Sequence, residues 1–433
     1  MKVVAFLPAK GTSERIENKN IKILDGKPLF LRQLEKLINF DFIDEVYLDT
    51  ESDTIIDMAS HLDCKVLKRD IKFASNKTDG NELFYNQVRQ VDADIYIQIL
   101  CTSPFIKGET IKKGVNKILQ NNGYDSVVMV KSDRLYTWDS KTKKTNYNLD
   151  SIPNSNELPE TIIETMGLYI VKKDIVHKLK KRIGLNPYLL EAEAIEAIDV
   201  NFPDEFELAN FIAAGIRESE RKDFRNLSHL LSSSILSDIF DELKIENKIV
   251  AGLTLNLNER KILGRAKTLK IKAKEETDKT TIYDALNTYK TIVPNDIIVV
   301  ENECPEYAYF GELNSNLAIR SGAIGAIIGG NTRDSSEVRK LQFPVFATGY
   351  NCQDIKHKGT LAHYNKKIRI GDVEIEPNDL IFGDNEGIII IPKAMESIVL
   401  KMAKDVLNKE NSIVNEVAKG IDVSIIRGRH GDF

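Results

Sequence analysis

The chain opens on a short apolar run, Val3 to Leu7, which the pattern predicts as a buried first strand. A polar loop follows. Gly26 to Pro28 then leads into a helical repeat with Phe30, Leu34, Leu37 and Ile38 on one face. Further strands are expected at Glu45–Thr50, Cys64–Arg69, Asp94–Pro104 (ending in a turn), Asp125–Val130 and Glu164–Val171. This alternation predicts an α/β domain. Ligands of such sheets bind beyond the carboxyl ends of the strands, where the first loop sits. Residues 133–159 are polar and Asn-rich and read as an excursion over the active site or towards a partner subunit.

The second half has a different rhythm. The charged stretch Arg217–Asn226 is expected as a junction, and a Ser-rich cap opens a helical repeat over Leu230–Asp241. From Val293 onwards short strands are expected at Ile297–Val300, Ala323–Gly329, Pro344–Ala347, Ile368–Ile375, Leu380–Phe382 and Ile388–Ile391. Gly and Asn or Asp stand between them, which predicts strand-rich α/β material and not a second doubly wound nucleotide domain. Lys401, Met402, Val406 and Leu407 belong to a C-terminal amphipathic helix, and Arg427–Asp432 is expected as a mobile end or a subunit contact. A length of 433 residues fits two domains, expected at 1–222 and 227–433.

Composition narrows the function classes. The balance of 60 basic against 65 acidic residues leaves a net charge of −5, so nothing in it favours nucleic acid or an anionic membrane as partner. The four cysteines, Cys64, Cys101, Cys304 and Cys352, form no CxxC pair and fit reduced thiols. With no signal-like segment and no apolar run of membrane length, a cytoplasmic protein is expected. No pair of histidines has metal-ligand spacing.

The first loop, Pro8-Ala-Lys-Gly-Thr-Ser-Glu-Arg-Ile-Glu-Asn-Lys-Asn-Ile21, carries the N-terminal chemistry. Its small residues Gly11, Thr12 and Ser13 allow close approach of backbone N–H groups, and Lys10, Arg15 and Lys19 supply positive charge. Both suit a triphosphate. The Gly and Lys-Ser/Thr spacing of a Walker A loop is absent. Residue chemistry alone leaves a solvated basic loop equally open.

The loop resembles the PARGGSKGIPRKNI signature of the CMP-N-acylneuraminate (sialic-acid-type) cytidylyltransferases. Lys10 stands at the family's Arg, Lys19 and Asn20 match, and Glu14-Arg15 replaces Lys-Gly. Arg69 falls on a family arginine, and Asn81-Glu82-Leu83 resembles GN[DE]L. Thr102-Ser103-Pro104 matches the end of LLQPTSP, with Leu100-Cys101 in place of Gln-Pro. Glu164–Val171 resembles the ENGAIYI strand with Met166 for Asn, and Ala197–Ala209 matches IDxDxPEDFELA. The resemblance covers residues 2–215. It implies a Rossmann-like nucleotidyltransferase domain (glycosyltransferase-A-like) that transfers CMP from CTP to a nonulosonic, sialic-acid-like sugar acid. It also implies that Lys10 and Lys19 neutralise phosphate, while Ala9, Gly11, Thr12, Ser13, Asn20, Arg69, Asn81, Thr102 and Ser103 bind nucleotide or substrate. Asp199 would hold Mg2+, an ion that takes one or two carboxylates beside phosphates. Read without the resemblance, Asp199 is a strand-end cap for the helix that follows.

Three phrases of the second half carry a second resemblance: Phe310–Asn314, Gly329–Asp334 with Pro344–Ala347, and Pro377–Gly387. They resemble WGELLA, DGAVRD with PVFA, and PGDLVxADxDGVVVVP of the RraA / 4-hydroxy-4-methyl-2-oxoglutarate aldolase family, over about residues 228–410. The resemblance implies an RraA-like α/β domain with a keto-acid ligand. Asp334 would hold a divalent metal (Mg2+ or Mn2+), Arg333 would face the keto or leaving oxygen, and Glu312 would bind metal-associated water. Backbone N–H groups around Gly311, Leu313 and Asn314 would take the substrate carboxylate. By residue chemistry alone Arg333–Asp334 is also a surface ion pair, worth little.

The joint expectation is a bifunctional enzyme and a homo-oligomer, dimeric through the first domain and trimeric or hexameric through the second. The alternatives are a catalytically inactive oligomerisation or regulatory second domain, and a first domain that acts on another acid.

Overall fold

The computed structural model describes residues 1–75, 77–120 and 122–431, so Asp432, the end of the tail read above, lies outside the described residues. The chain divides into two compact units, Met1–Ala214 and Gly215–Phe433.

The N-terminal unit is built on β1 (Val3–Pro8), β2 (Glu45–Thr50), β3 (Lys65–Lys68), β4 (Ile95–Ile99), β5 (Ser126–Asp133), β6 (Thr161–Lys172) and β7 (Pro187–Glu191). They form one sheet in the order β3-β2-β1-β4-β6-β5-β7. β1 lies between β2 and β4 and runs parallel to both. Both its faces are covered, which is why Val3 to Leu7 is continuously apolar instead of alternating. β6 is antiparallel to β4 and β5, with an irregular register between Val128 and Val130. Opposite that irregularity Met166 takes φ 58, a conformation that costs a non-glycine residue about 1 kcal/mol. The helix α1 (Leu29–Leu37) buries Phe30, Leu34 and Leu37 as the periodicity requires, and Ile38 closes it.

Asp199 does not end a strand. It lies in irregular chain just before α2 (Pro203–Arg221), whose Phe206, Ala209 and Ala213 pack with Val200 and Leu29.

The C-terminal unit carries a nine-stranded sheet. Its elements are β8 (Ile249–Val250), β9 (Thr254–Leu255), β10 (Ile262–Ala273), β11 (Asp296–Asn302), β12 (Gly325–Ile328), β13 (Val345–Ala347), β14 (Gly359–Tyr364), β17 (Leu380–Gly383) and β18 (Ile388–Ile391), with a separate hairpin of β15 (Ile368–Ile370) and β16 (Val373–Ile375). The order is β8-β18-β17-β10-β11-β12-β13-β9, and β14 also pairs with β10.

β10 is the spine of this sheet, and the sequence reading missed it. Lys267, Lys270 and Lys272 interrupt its apolar pattern. The fold supplies a carboxylate for each: Asp296 at 3.8 Å, Glu301 at 2.6 Å and Asp278 at 2.7 Å. Ile368–Ile375, expected as one strand, is a hairpin that turns at Gly371, whose φ of 56 a side chain would resist.

Arg217–Asn226, expected as a junction, is largely helical. α2 runs to Arg221, whose guanidinium is buried 2.8 Å from Asp296. Phe224, in α3 (Phe224–Leu230), sits in a core with α4 (Ser233–Leu243) and β18. The tail is likewise structured up to His430: α6 (Val423–His430) returns to α5 (Glu396–Ala418), with Arg429 3.1 Å from Glu416. Among the described residues no helix is long and apolar enough to cross a membrane.

Candidate functional site

The loop after β1 is strapped to its neighbours. The Ala9 N–H donates to the Asp49 carbonyl (2.9 Å) and the Gly11 N–H to Glu51 Oε1 (2.7 Å). A Cβ on Gly11 would stand 2.7 Å from Ser52 Cβ, so glycine lets the loop lie against the end of β2. Asn20 Nδ2 closes the loop on the Lys10 carbonyl at 2.8 Å. Thr12 is exposed, and Lys10 and Ser13 are half-buried along the same loop.

Arg69 does not reach the open side of this loop. Its side chain is 2% exposed, with Nε 3.0 Å from Asp49 Oδ1 and Nη2 2.9 Å from Asp49 Oδ2. Nη1 lies 3.9 Å from Glu51, the carboxylate that holds Gly11. Arg69 is therefore a support beneath the loop. Gln87 adds a further hydrogen bond to Asp49 and is itself held by Gln98 at 2.9 Å.

Lys19 turns inwards. Its Nζ donates to the Val200 carbonyl at 3.0 Å. Burial lowers its pKa, Arg15 lowers it further, and Asp199 works in the opposite direction. Thr102 holds the same segment from the other side, its carbonyl accepting the Val200 N–H at 2.8 Å. Asp199 Oδ2 accepts a hydrogen bond from Asn201, while its Oδ1 is buried with no hydrogen-bond partner among the described residues. Ser103 Oγ is buried and unpartnered in the same sense. Burial pushes the Cys101 thiol up to about 12, so it stays neutral near Lys19.

The unpartnered Asp199 oxygen is what a hard divalent cation needs, and Mg2+ is commonly held by one carboxylate together with phosphate and water. The residues present thus fit Mg2+, although among the described residues no three His, Cys, Asp or Glu side chains converge on a metal position. Asn81, expected at the ligand, instead accepts the Arg182 backbone N–H on Oδ1 at 3.0 Å. The sequence reading did not single out Arg182. It falls in the chain between the Glu164–Val171 and Ala197–Ala209 motifs, and no spacing rule points to it.

The C-terminal candidates also meet. Phe310 is buried against Phe343, and Gly311 is the N-cap of the helix Glu312–Ser321. A Cβ on Gly311 would stand 2.5 Å from Asp334 Oδ2, the oxygen that accepts the Glu312 N–H at 3.2 Å. Leu313 and Asn314 follow in the first helical turn, where backbone N–H groups have no helical acceptor. Leu313 is 75% exposed, and Asn314 donates to the Tyr289 hydroxyl at 3.2 Å.

Arg333 Nε is 3.7 Å from Asp334 Oδ2, but Nη2 is only 2.8 Å from Asp354. Asp354 is a partner that the motif did not announce. Arg333 also lines a cavity of about 160 Å3 with Phe310, Thr332, Ser335, Asn256 and Tyr350. As one carboxylate, Asp334 fits a cation that keeps most of its water shell.

A family model described as cytidylyltransferase matches residues 4–210, and one described as Aldolase/RraA matches residues 233–390. Protein DlpA of Legionella pneumophila is 28% identical over 44% of this chain and 31% of its own length. A putative 4-hydroxy-4-methyl-2-oxoglutarate aldolase of Halalkalibacterium halodurans is 30% identical over 42% of this chain and 82% of its own. N-acylneuraminate cytidylyltransferase A of Danio rerio is 27% identical over 46% of this chain and 48% of its own. The chain thus spans less than half the length of the first and third of these relatives.

Proposed function

We propose, for a chain that belongs in its N-terminal half to the cytidylyltransferase family and in its C-terminal half to the Aldolase/RraA family, that the first domain activates a nonulosonic sugar acid with CTP. The acceptor's anomeric hydroxyl oxygen attacks the α-phosphorus, the bond to the β-phosphate oxygen breaks, and pyrophosphate leaves. The observation that carries this reading is the meeting of Lys19, Thr102 and the Asp199–Val200 segment, with one buried Asp199 oxygen unpartnered. Asp199 would hold Mg2+, whose charge offsets that of the phosphates. Lys19 and Lys10 add positive charge along the loop, the Gly11–Glu51 strap keeps the loop backbone in place, and positioning supplies much of the rate. The test is pyrophosphate release from CTP and Mg2+ over a panel of nonulosonic and ulosonic acids. Release with at least one acid supports the reading, and none with any acid overturns it.

For the second domain we propose metal-assisted carbon–carbon cleavage of a keto acid, with Arg333 sharing the negative charge that develops on the enolate oxygen. One observation favours the rival, a binding domain without chemistry: Arg333 is already paired with Asp354. Pyruvate formation from 4-hydroxy-2-keto acids separates the two.

A further inference from the structure

Arg182 has no part in the chemistry proposed so far, yet it is carefully placed. Its guanidinium carbon stands 3.9 Å from the centroid of the Tyr169 ring, in a cation–π contact. Its Nη2 is 3.7 Å from Met166 Sδ, a weak acceptor. Among the described residues no carboxylate pairs with it. The placement is built from two directions: Asn81 Oδ1 holds the Arg182 N–H at 3.0 Å, and the missing side chain of Gly80 makes room, since a Cβ there would lie 2.6 Å from Nη1. Tyr169 is fixed in turn by the hydrogen bond it donates to Glu164.

This cluster belongs to the same region as the transfer site. Gly167, next to Met166, packs so closely on Ser103 that a Cβ would stand 2.5 Å from its Oγ. The Gly167 carbonyl accepts the Leu100 N–H at 3.0 Å. Burial raises the pKa of the Tyr169 hydroxyl, and Glu164 and, less, Asp199 add to the rise.

We propose that Arg182 binds the carboxylate of the acceptor acid and orients it for attack. The inference rests on the cytidylyltransferase reading and deepens it. A guanidinium with one face on an aromatic ring and one edge on a thioether keeps a planar fork for a planar, two-oxygen anion. The phosphates have their own cations on the first loop. Glu164, beside Tyr169, disfavours a multiply charged group there and tolerates a single carboxylate.

The test is steady-state kinetics of pyrophosphate release with the acceptor acid and with its carboxamide, in wild type, Arg182→Ala and Arg182→Lys. Loss of a charged hydrogen bond of this kind raises the acid KM by roughly 10- to 100-fold in Arg182→Ala, with the CTP KM within about twofold. The wild-type preference for acid over carboxamide disappears with it, and Arg182→Lys restores part of both. An unchanged acid KM, a retained preference, or an equal rise in the CTP KM discards the assignment. If wild type turns over no acid, the cytidylyltransferase reading falls and this one with it. Turnover in wild type with an unaltered Arg182→Ala discards this one alone. Far-ultraviolet circular dichroism of both variants checks that the fold is kept, and the lysine variant carries the test if alanine is unstable.

Discussion

Lys19 in the N-terminal unit and Arg333 in the C-terminal unit are both cations close to an aspartate, yet their situations differ. Lys19 is withdrawn from water, hydrogen-bonded to a neutral carbonyl, and near an aspartate with one oxygen unpartnered. Arg333 is partly exposed and bonded to Asp354 at 2.8 Å, beside an aspartate that is 41% exposed. Desolvated charge without a full partner is costly to keep, and such charge clusters at functional sites. A paired, exposed charge is cheap and contributes little to stability. On the proposed function, the first site receives a ligand's charge. In the second, a ligand anion must compete with Asp354.

The widest separation between the two comes from Asp199. Asp199→Ala is expected to lower pyrophosphate release by roughly 1,000-fold, with no restoration on titration with Mg2+. Release that survives at wild-type rate would remove Asp199 from the site. Lys19→Met costs roughly 100-fold. Lys19 also sets an alkaline limit. Its pKa is depressed by burial, so raising the pH through that value strips the ammonium of its proton at a lower pH than for an ordinary lysine, and the rate falls. In Lys19→Arg that limb moves upwards in the pH–rate profile. A limb that stays put belongs to another group.

Gly11→Ala tests the loop's packing. Its new Cβ must displace Ser52, at a cost of roughly 1–3 kcal/mol, read as a lower melting temperature of the N-terminal transition. A melting temperature equal to wild type's means the strap gives way freely. The smallest change is expected for Arg333→Ala, which leaves pyrophosphate release within about twofold while ending any pyruvate formation. Asp354→Asn sharpens the contrast. If it raises keto-acid turnover, the pair restrains an active site; if wild type and both variants form no pyruvate, the second domain is a binding module.

Much of both candidate sites was legible because it is local in the chain. The apolar run of β1, the loop that follows it and the Phe310–Asn314 and Gly329–Asp334 phrases are contiguous patterns, and contiguous patterns survive in a sequence. What was misread depends on distant partners. Arg69 looks like a ligand contact until Asp49 closes on it from the adjacent strand. β10 looks too charged to be a central strand until three carboxylates from elsewhere meet its lysines.

The sequence by itself determined the two α/β halves, the family that each resembles and the residue types gathered in each loop, because hydrophobic period and motif spacing are properties of neighbouring residues. Only the tertiary structure decided which charges are spent and which stand ready. Lys19 reaches Val200 across 181 positions and Arg182 reaches Asn81 across 101, and burial, which sets the strength of such charges, exists only once the chain has folded.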